Sequence, residues 1–188
     1  MRIGIDVGGT NTDAVLIDGD VLVSKIKTPT TRDVTSGIVT CINDLVQAAP
    51  ECATVDAVML GTTHFVNALL ERTQLAPSAA LRICLPATTM LPPLVDWPAD
   101  LKTAIGGQSY MASGGHEYDG REISAFNEIE IREITKKMNA DGVRSVSISG
   151  VFSPVDDAHE KAAAEIIRLE APHMNITLSS EIGKVGIL

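Results

Sequence analysis

The run Ile3-Gly4-Ile5-Asp6-Val7-Gly8-Gly9-Thr10-Asn11-Thr12-Asp13 holds the densest group of residues able to do chemistry. An apolar strand ends in an Asp, two glycines follow, and a second apolar run begins at Ala14. Gly8 and Gly9 allow positive φ and carry no Cβ, so another group can approach the backbone closely. Successive N–H groups in such a turn form a concave anion site, and Thr10, Asn11 and Thr12 can add side-chain donors. Asp6, at the strand end, is placed to hold Mg²⁺, which takes one or two carboxylates together with phosphate oxygens. The chemistry implied is the holding of a nucleotide phosphate. The same Gly-Gly pair also fits an ordinary hairpin turn. No G-x-x-x-x-G-K-[ST] loop occurs. The dinucleotide fingerprint is excluded as well: there is no G-x-G-x-x-G, and a strand rather than a helix follows the turn.

A second group is Gly61-Thr62-Thr63-His64, followed by Asn67. Gly61 breaks an apolar strand, and Thr62 or Thr63 can cap the helix that follows, with Phe65, Val66, Leu69 and Leu70 as its buried face. Polar residues between the C-terminal end of a strand and the start of a helix make a natural site in an open α/β sheet. An ordinary threonine N-cap accounts for them equally. The other histidines are scattered. His159 reads as solvated, and His173 follows Pro172 in a turn. His116 and the Asp119-Gly120-Arg121 turn read as surface. With no H-E-x-x-H and no Cys/His cluster, a zinc site is not expected.

Composition narrows the partners. The chain has 188 residues and a net charge of −9, with a pI near 4.8. Phosphate-rich partners would be repelled, so neither nucleic acid nor an anionic membrane surface is expected. A chain this long can bury about 70% of its unfolded surface without a metal or disulfide staple. Cys41, Cys52 and Cys84 are odd in number and lack a C-x-x-C, which fits reduced thiols. Four aspartates interrupt residues 1–20, so no signal peptide is read there. No membrane-spanning run is present, and a cytoplasmic location is expected.

The elements that position the two groups follow from patterning. Asp18-Gly19 between two Val/Leu/Ile runs is a hairpin signal. With the first turn it predicts three antiparallel strands near residues 2–7, 12–18 and 20–27. Thr30 or Thr31 can cap a helix to Ala48, whose Val34, Ile38, Cys41, Ile42, Leu45 and Val46 share one face, with Pro50 beyond its end. Residues 55–60 read as a buried strand. The order β-β-β-α-β is that of the ribonuclease-H-like fold, an α/β class with a mixed sheet flanked by helices. Residues 1–85 are expected to form that core. Residues 86–128, rich in Pro and Gly, read as an inserted segment with a short helix near Asp100, hairpins near 108–123 and a packed Trp97. Residues 129–188 resume the α/β pattern. They include a helix with a Glu133–Lys137 pair, a strand at 144–149, a helix from Ser153-Pro154 and a strand at 176–178.

Residues 3–13 resemble the first phosphate motif of the actin, Hsp70 and sugar-kinase superfamily. The stretch from Gly61-Thr62-Thr63-His64 through Asn67-Ala68-Leu69-Leu70-Glu71-Arg72 is similar to the G-T-T-x-x-x-N-A-L-L-E-R segment of the hydantoinase/oxoprolinase family. Ser153-Pro154 with His159-Glu160, and Leu178-Ser179-Ser180-Glu181-Ile182, also resemble that family's N-terminal region. The resemblance implies an actin-like ATPase fold and an ATP- and Mg²⁺-dependent enzyme opening small cyclic amides such as hydantoins or 5-oxoproline. Related members carboxylate ketones. The shared step would be phosphoryl transfer to an amide or carbonyl oxygen. Asp6 would then hold Mg²⁺, and Gly8, Gly9, Thr10, Asn11 and Thr12 would cradle phosphate. Thr62, Thr63, His64 and Asn67 would face the substrate, with Arg121 a further candidate. Superfamily members clamp ATP between two similar halves, whereas D-x-G-G-T occurs once here. The chain therefore reads as an N-terminal piece, completed by more of the same polypeptide or by a second subunit, and inactive alone. A small-molecule kinase and a non-catalytic binding or assembly module are the alternatives.

Overall fold

The structure, a computed structural model, describes residues 1–31, 33–49 and 54–183. Pro50, Cys52 and the apolar residues 186–188 lie outside the described residues. The chain divides into two compact units, Met1–Glu71 and Arg72–Leu188.

The first unit opens with β1 (Arg2–Val7), β2 (Asn11–Asp18) and β3 (Val21–Pro29). Gly19 turns the chain between β2 and β3 at φ 59°, the left-handed conformation a tight hairpin needs. Then come α1 (Val34–Ala48), β4 (Ala57–Thr62) and α2 (His64–Glu71). The sheet order is β3-β2-β1-β4, with β4 parallel to β1. This is the ribonuclease-H-like order expected from the sequence. Side chains alternate across a strand, so Ile3, Ile5, Val7, Ala14 and Leu16 pack with Cys41 and Leu45 of α1. Gly4, Asp6, Asp13 and Val15 line a depression together with Met59 and Gly61 of β4.

Three local expectations change. Asp33, not Thr30 or Thr31, caps α1 by accepting from the Thr35 amide at 3.2 Å; Thr30 is held by the first turn instead. β4 is exposed along its whole length, because among the described residues no strand pairs with its outer edge. For the same reason α2 has no sheet to cover. None of its residues is buried, and Phe65 and Leu70 are 73% and 70% exposed.

The second unit contains β5 (Ser78–Leu85), α3 (Ala99–Ala104), β6 (Gln108–Ser113), α4 (Glu128–Ala140), β7 (Ser145–Gly150), α5 (Ala158–Glu170), β8 (Asn175–Leu178) and α6 (Ser179–Ile182). Its sheet runs β6-β5-β7-β8 and every pairing in it is parallel. β5 thus pairs with β6 on one side and β7 on the other, and residues 86–128 contribute a strand to this sheet as well as the short helix α3. Where hairpins were expected, the only antiparallel pairing among the described residues is a bridge between His116 and Glu122. Leu81, Ile83, Ile131, Met138, Ile148 and Ile167 are among the core residues that α4 and α5 close against the sheet. α5 begins at Ala158 rather than at Ser153-Pro154, because Phe152 takes φ 52° in an intervening turn. Trp97 is about half exposed. Lys137 lies 5.5 Å from the Tyr110 ring centre, so its charge is drawn to the aromatic face, and among the described residues it forms no ion pair with Glu133. Among the described residues no helix is long and apolar enough to cross a membrane.

Candidate functional site

The chain leaves β1 at Val7 and re-enters the sheet as β2 at Asn11, with Val7 opposite Thr12 and Asp6 opposite Asp13. The turn closes on itself through the Gly8 amide, which donates to the Asn11 carbonyl at 2.9 Å. Neither Gly8 nor Gly9 takes positive φ. Glycine eases a close approach here: a Cβ on Gly8 would lie 3.0 Å from the Asn11 carbonyl oxygen, and one on Gly9 3.0 Å from Asn67 Nδ2, so the neighbour would have to shift. Thr30, unmarked in the sequence reading except as a possible cap, braces the turn from β3. Its hydroxyl donates to the Gly8 carbonyl at 2.8 Å and lies 3.2 Å from the Thr12 hydroxyl. Its amide donates to the Thr10 carbonyl at 2.9 Å. Thr12 is buried and belongs to this brace.

What the turn leaves unused is informative. The amides of Gly9 and Thr10 make no hydrogen bond among the described residues. Asp6 is exposed, and its carboxylate likewise has no partner there. Asp13, directly opposite, has only an exposed ion pair with Lys27 at 3.2 Å. Two carboxylates facing each other across neighbouring strands repel, and a cation between them removes the penalty. The depression they line, with Gly4 and Gly61, has a volume of about 420 Å³. Donors that lack acceptors thus sit beside Asp6, an acid that has no cation partner among the described residues.

The second group stands next to the first. β4 runs parallel to β1 with Asp6 opposite Gly61 and Val7 opposite Thr62, so both strands end at the same edge of the sheet. The Thr63 amide donates to the Val7 carbonyl at 3.4 Å. The Thr62 hydroxyl accepts from the His64 amide at 3.0 Å, which satisfies a backbone donor at the start of α2. Asn67, one turn into the helix, brings its carboxamide against Gly9. His64 Nδ1 is shut off from solvent with no hydrogen-bond partner, a state that buried polar atoms seldom keep. The structure therefore brings Asp6, Gly8, Gly9, Thr10, Asn11, Thr62, Thr63, His64 and Asn67 to one edge of one sheet. Arg121 belongs to the second unit and is held by Asp119 at 2.8 Å.

Asp13 could have been found from the sequence, because counting outward from a four-residue turn places it opposite Asp6. Thr30 could not, since its role depends on where β3 ends. His116, His159 and Glu160, read as surface or solvated, are buried in the second unit.

A sequence model of the hydantoinase/oxoprolinase N-terminal region matches residues 2–171. Caprolactamase subunit alpha from Pseudomonas jessenii is 28% identical over 205 residues, spanning 96% of this chain and 28% of that protein. A solved nucleotide-free structure of acetone carboxylase, described as catalysing ATP-dependent acetone carboxylation, superposes with a TM-score of 0.71 at 15% identity. It covers 96% of this chain and 29% of that one. That likeness shows the fold, which is actin-like. The chain spans less than a third of the length of either protein.

Proposed function

Because this chain belongs to the hydantoinase/oxoprolinase N-terminal family, we propose that it is the phosphate-binding region of an ATP-dependent enzyme that opens a small cyclic amide of the hydantoin, 5-oxoproline or lactam type. The observation that carries this is the contact between the two groups: Asn67 lies against Gly9 at the shared end of β1 and β4. Phosphoryl transfer needs donor and acceptor held nearly in contact, and this edge offers a phosphate cradle and a polar helix start side by side.

The residues fit ATP and Mg²⁺. The free Gly9 and Thr10 amides, with the Thr10 and Asn11 side chains, would hold phosphate oxygens. Asp6, aided by Asp13, would hold the cation. Bound ATP would supply a phosphoryl group to the amide oxygen, which makes the carbonyl carbon open to attack. Thr62, Thr63 and His64 would orient the ring. The Asn67 carboxamide both donates and accepts, which suits the cis amide of a small ring. The remainder of the polypeptide or a second subunit would close over the site in the cytoplasm and exclude water. The chain alone, with half a clamp, would not turn over ATP.

The test is Asn67→Ala in the full-length enzyme with its partner subunit. Ala is the better helix former, so α2 persists, while loss of positioning should cost about 10²-fold in ring opening. Unchanged kcat/KM for every cyclic amide would overturn the reading. ATP turnover with a sugar or acid alone would return it to a kinase.

A further inference from the structure

The two edges of the first sheet are built differently. β3 closes one side, and it carries Lys25, Lys27 and Pro29, with a register shift where it pairs with β2. Charges, prolines and irregular pairing keep an edge strand from adding a further strand. β4 closes the other side with Ala57-Val58-Met59-Leu60-Gly61-Thr62. It has no charge and no proline, and it pairs with β1 in unbroken register. Its sequence is that of a strand covered on both faces, as strands inside parallel sheets are.

The register shows what lies uncovered. Val58 and Leu60 stand opposite Ile3 and Ile5, so the four side chains share one face of the sheet. Ile3 and Ile5 pack with α1 and are 1% and 4% exposed, whereas Val58 and Leu60 are 51% and 53% exposed. The core therefore stops at β1, one strand short of the edge. α2 extends the apolar surface: Val66 and Leu70 are spaced i, i+4 with Phe65 beside them, and all three are exposed. A helix that follows a strand of a parallel pair ordinarily carries the chain back to a neighbouring parallel strand. From α2 the chain runs instead into β5, which belongs to the other sheet.

We propose that the outer edge of β4 receives a strand from a later part of the same polypeptide, an extended apolar segment that pairs with β4 and is covered by the apolar face of α2. The second unit, which has a sheet and a core of its own, is then an insertion between α2 and its return strand, as an autonomous domain within a chain can be. A return strand comes from the chain that carries the helix, which sets this occupant apart from a partner subunit or a second copy. Chain enough to supply it exists in the relatives, of whose length this chain spans less than a third. The strand names what completes the sheet beside the turn after β1. It rests on the proposed function only in taking the chain as part of a longer enzyme.

The experiment compares amide hydrogen exchange along β4 in this chain and in the full-length polypeptide, without nucleotide, substrate or partner subunit. The β4 amides directed away from β1 should exchange at least about 100-fold more slowly in the full-length polypeptide. Phe65→Asp gives a second readout. It should move the Tm of this chain by no more than about 2 °C, because Phe65 is exposed, and lower that of the full-length polypeptide by roughly 4 °C or more. Equal exchange at β4 in the two proteins, protection that appears only when a partner subunit is added, protection in this chain that rises with its concentration, or equal Tm losses in the two Phe65→Asp proteins would each overturn the proposal. ATP is absent throughout, so such a result leaves the phosphate reading of the turn after β1 standing, and a failure of that reading leaves the strand untouched.

Discussion

Thr30→Val tests whether the brace on the turn after β1 is real. Valine keeps the shape and removes the hydroxyl that donates to the Gly8 carbonyl at 2.8 Å and meets the Thr12 hydroxyl at 3.2 Å. A hydrogen bond of this kind contributes about 1 kcal/mol net, and a buried group left without its partner costs about 1–3 kcal/mol. Thr12 is buried and cannot recruit water, while Gly8 is only half-buried; the sum is about 2 kcal/mol. For a unit the size of Met1–Glu71, that corresponds to a drop in Tm of roughly 8–16 °C. The sole tryptophan, Trp97, and both tyrosines lie in the second unit. Their emission follows that unit, and amide exchange along β1 follows the first. Exchange in β1 should accelerate in Thr30→Val and stay near wild type in Thr30→Ser, with Trp97 unmoved in both. A Thr30→Val chain with wild-type exchange would refute the brace.

Two further outcomes concern the second unit. Gly114→Ala should destabilise it by about 3 kcal/mol, combining backbone strain with overpacking, because φ is 129° and the new Cβ would lie 2.6 Å from Ile83 Cγ2 and 2.9 Å from His159 Nδ1. Gly142→Ala, at φ 73° with nothing within 4 Å, should cost about 1 kcal/mol; equal losses in urea denaturation would disprove the packing argument. Tyr110 is pushed up to about 12 by burial, and further by the Asp141 charge and the hydrogen bond to it. Its contribution to stability is complete below its ordinary value of 10.0 and lost as pH rises towards 12. Tyr110→Phe should therefore flatten the alkaline fall in stability, and a fall of wild-type steepness would contradict this.

The first unit was largely legible because its signals are local. The hairpin at Gly19, the face of α1 and the two site segments each follow from short-range spacing. The closeness of those segments follows from one rule, that ligands gather at strand ends. Exposure of β4 and α2 was not legible, since an apolar run reads the same whether or not a neighbour covers it. The second unit was read less well. Parallel pairing of β5 with β6 and β7 joins strands separated by whole helices and leaves no mark in either strand. The burial of His116 and His159 depends on that pairing, because they are 43 positions apart and meet only where the strands end together. Glu160 shows the same limit. It looks like a surface glutamate on α5, yet its carboxylate accepts from the Gly150 amide at 2.7 Å, the Ser179 hydroxyl at 2.6 Å and the Ser180 amide at 3.1 Å.

In the proposed function, the turn after β1 would hold the phosphate and its cation for chemistry on a cyclic amide. Asp6→Asn in the full-length enzyme tests it most directly, with ring opening measured against Mg²⁺ concentration. The amide keeps the size of the side chain but loses the charge that would hold the cation. The expected outcome is an intact fold, a raised Mg²⁺ requirement and a turnover lower by about 100-fold or more. Wild-type turnover at limiting Mg²⁺ would contradict it and leave Asp6 as no more than the last polar residue of a strand.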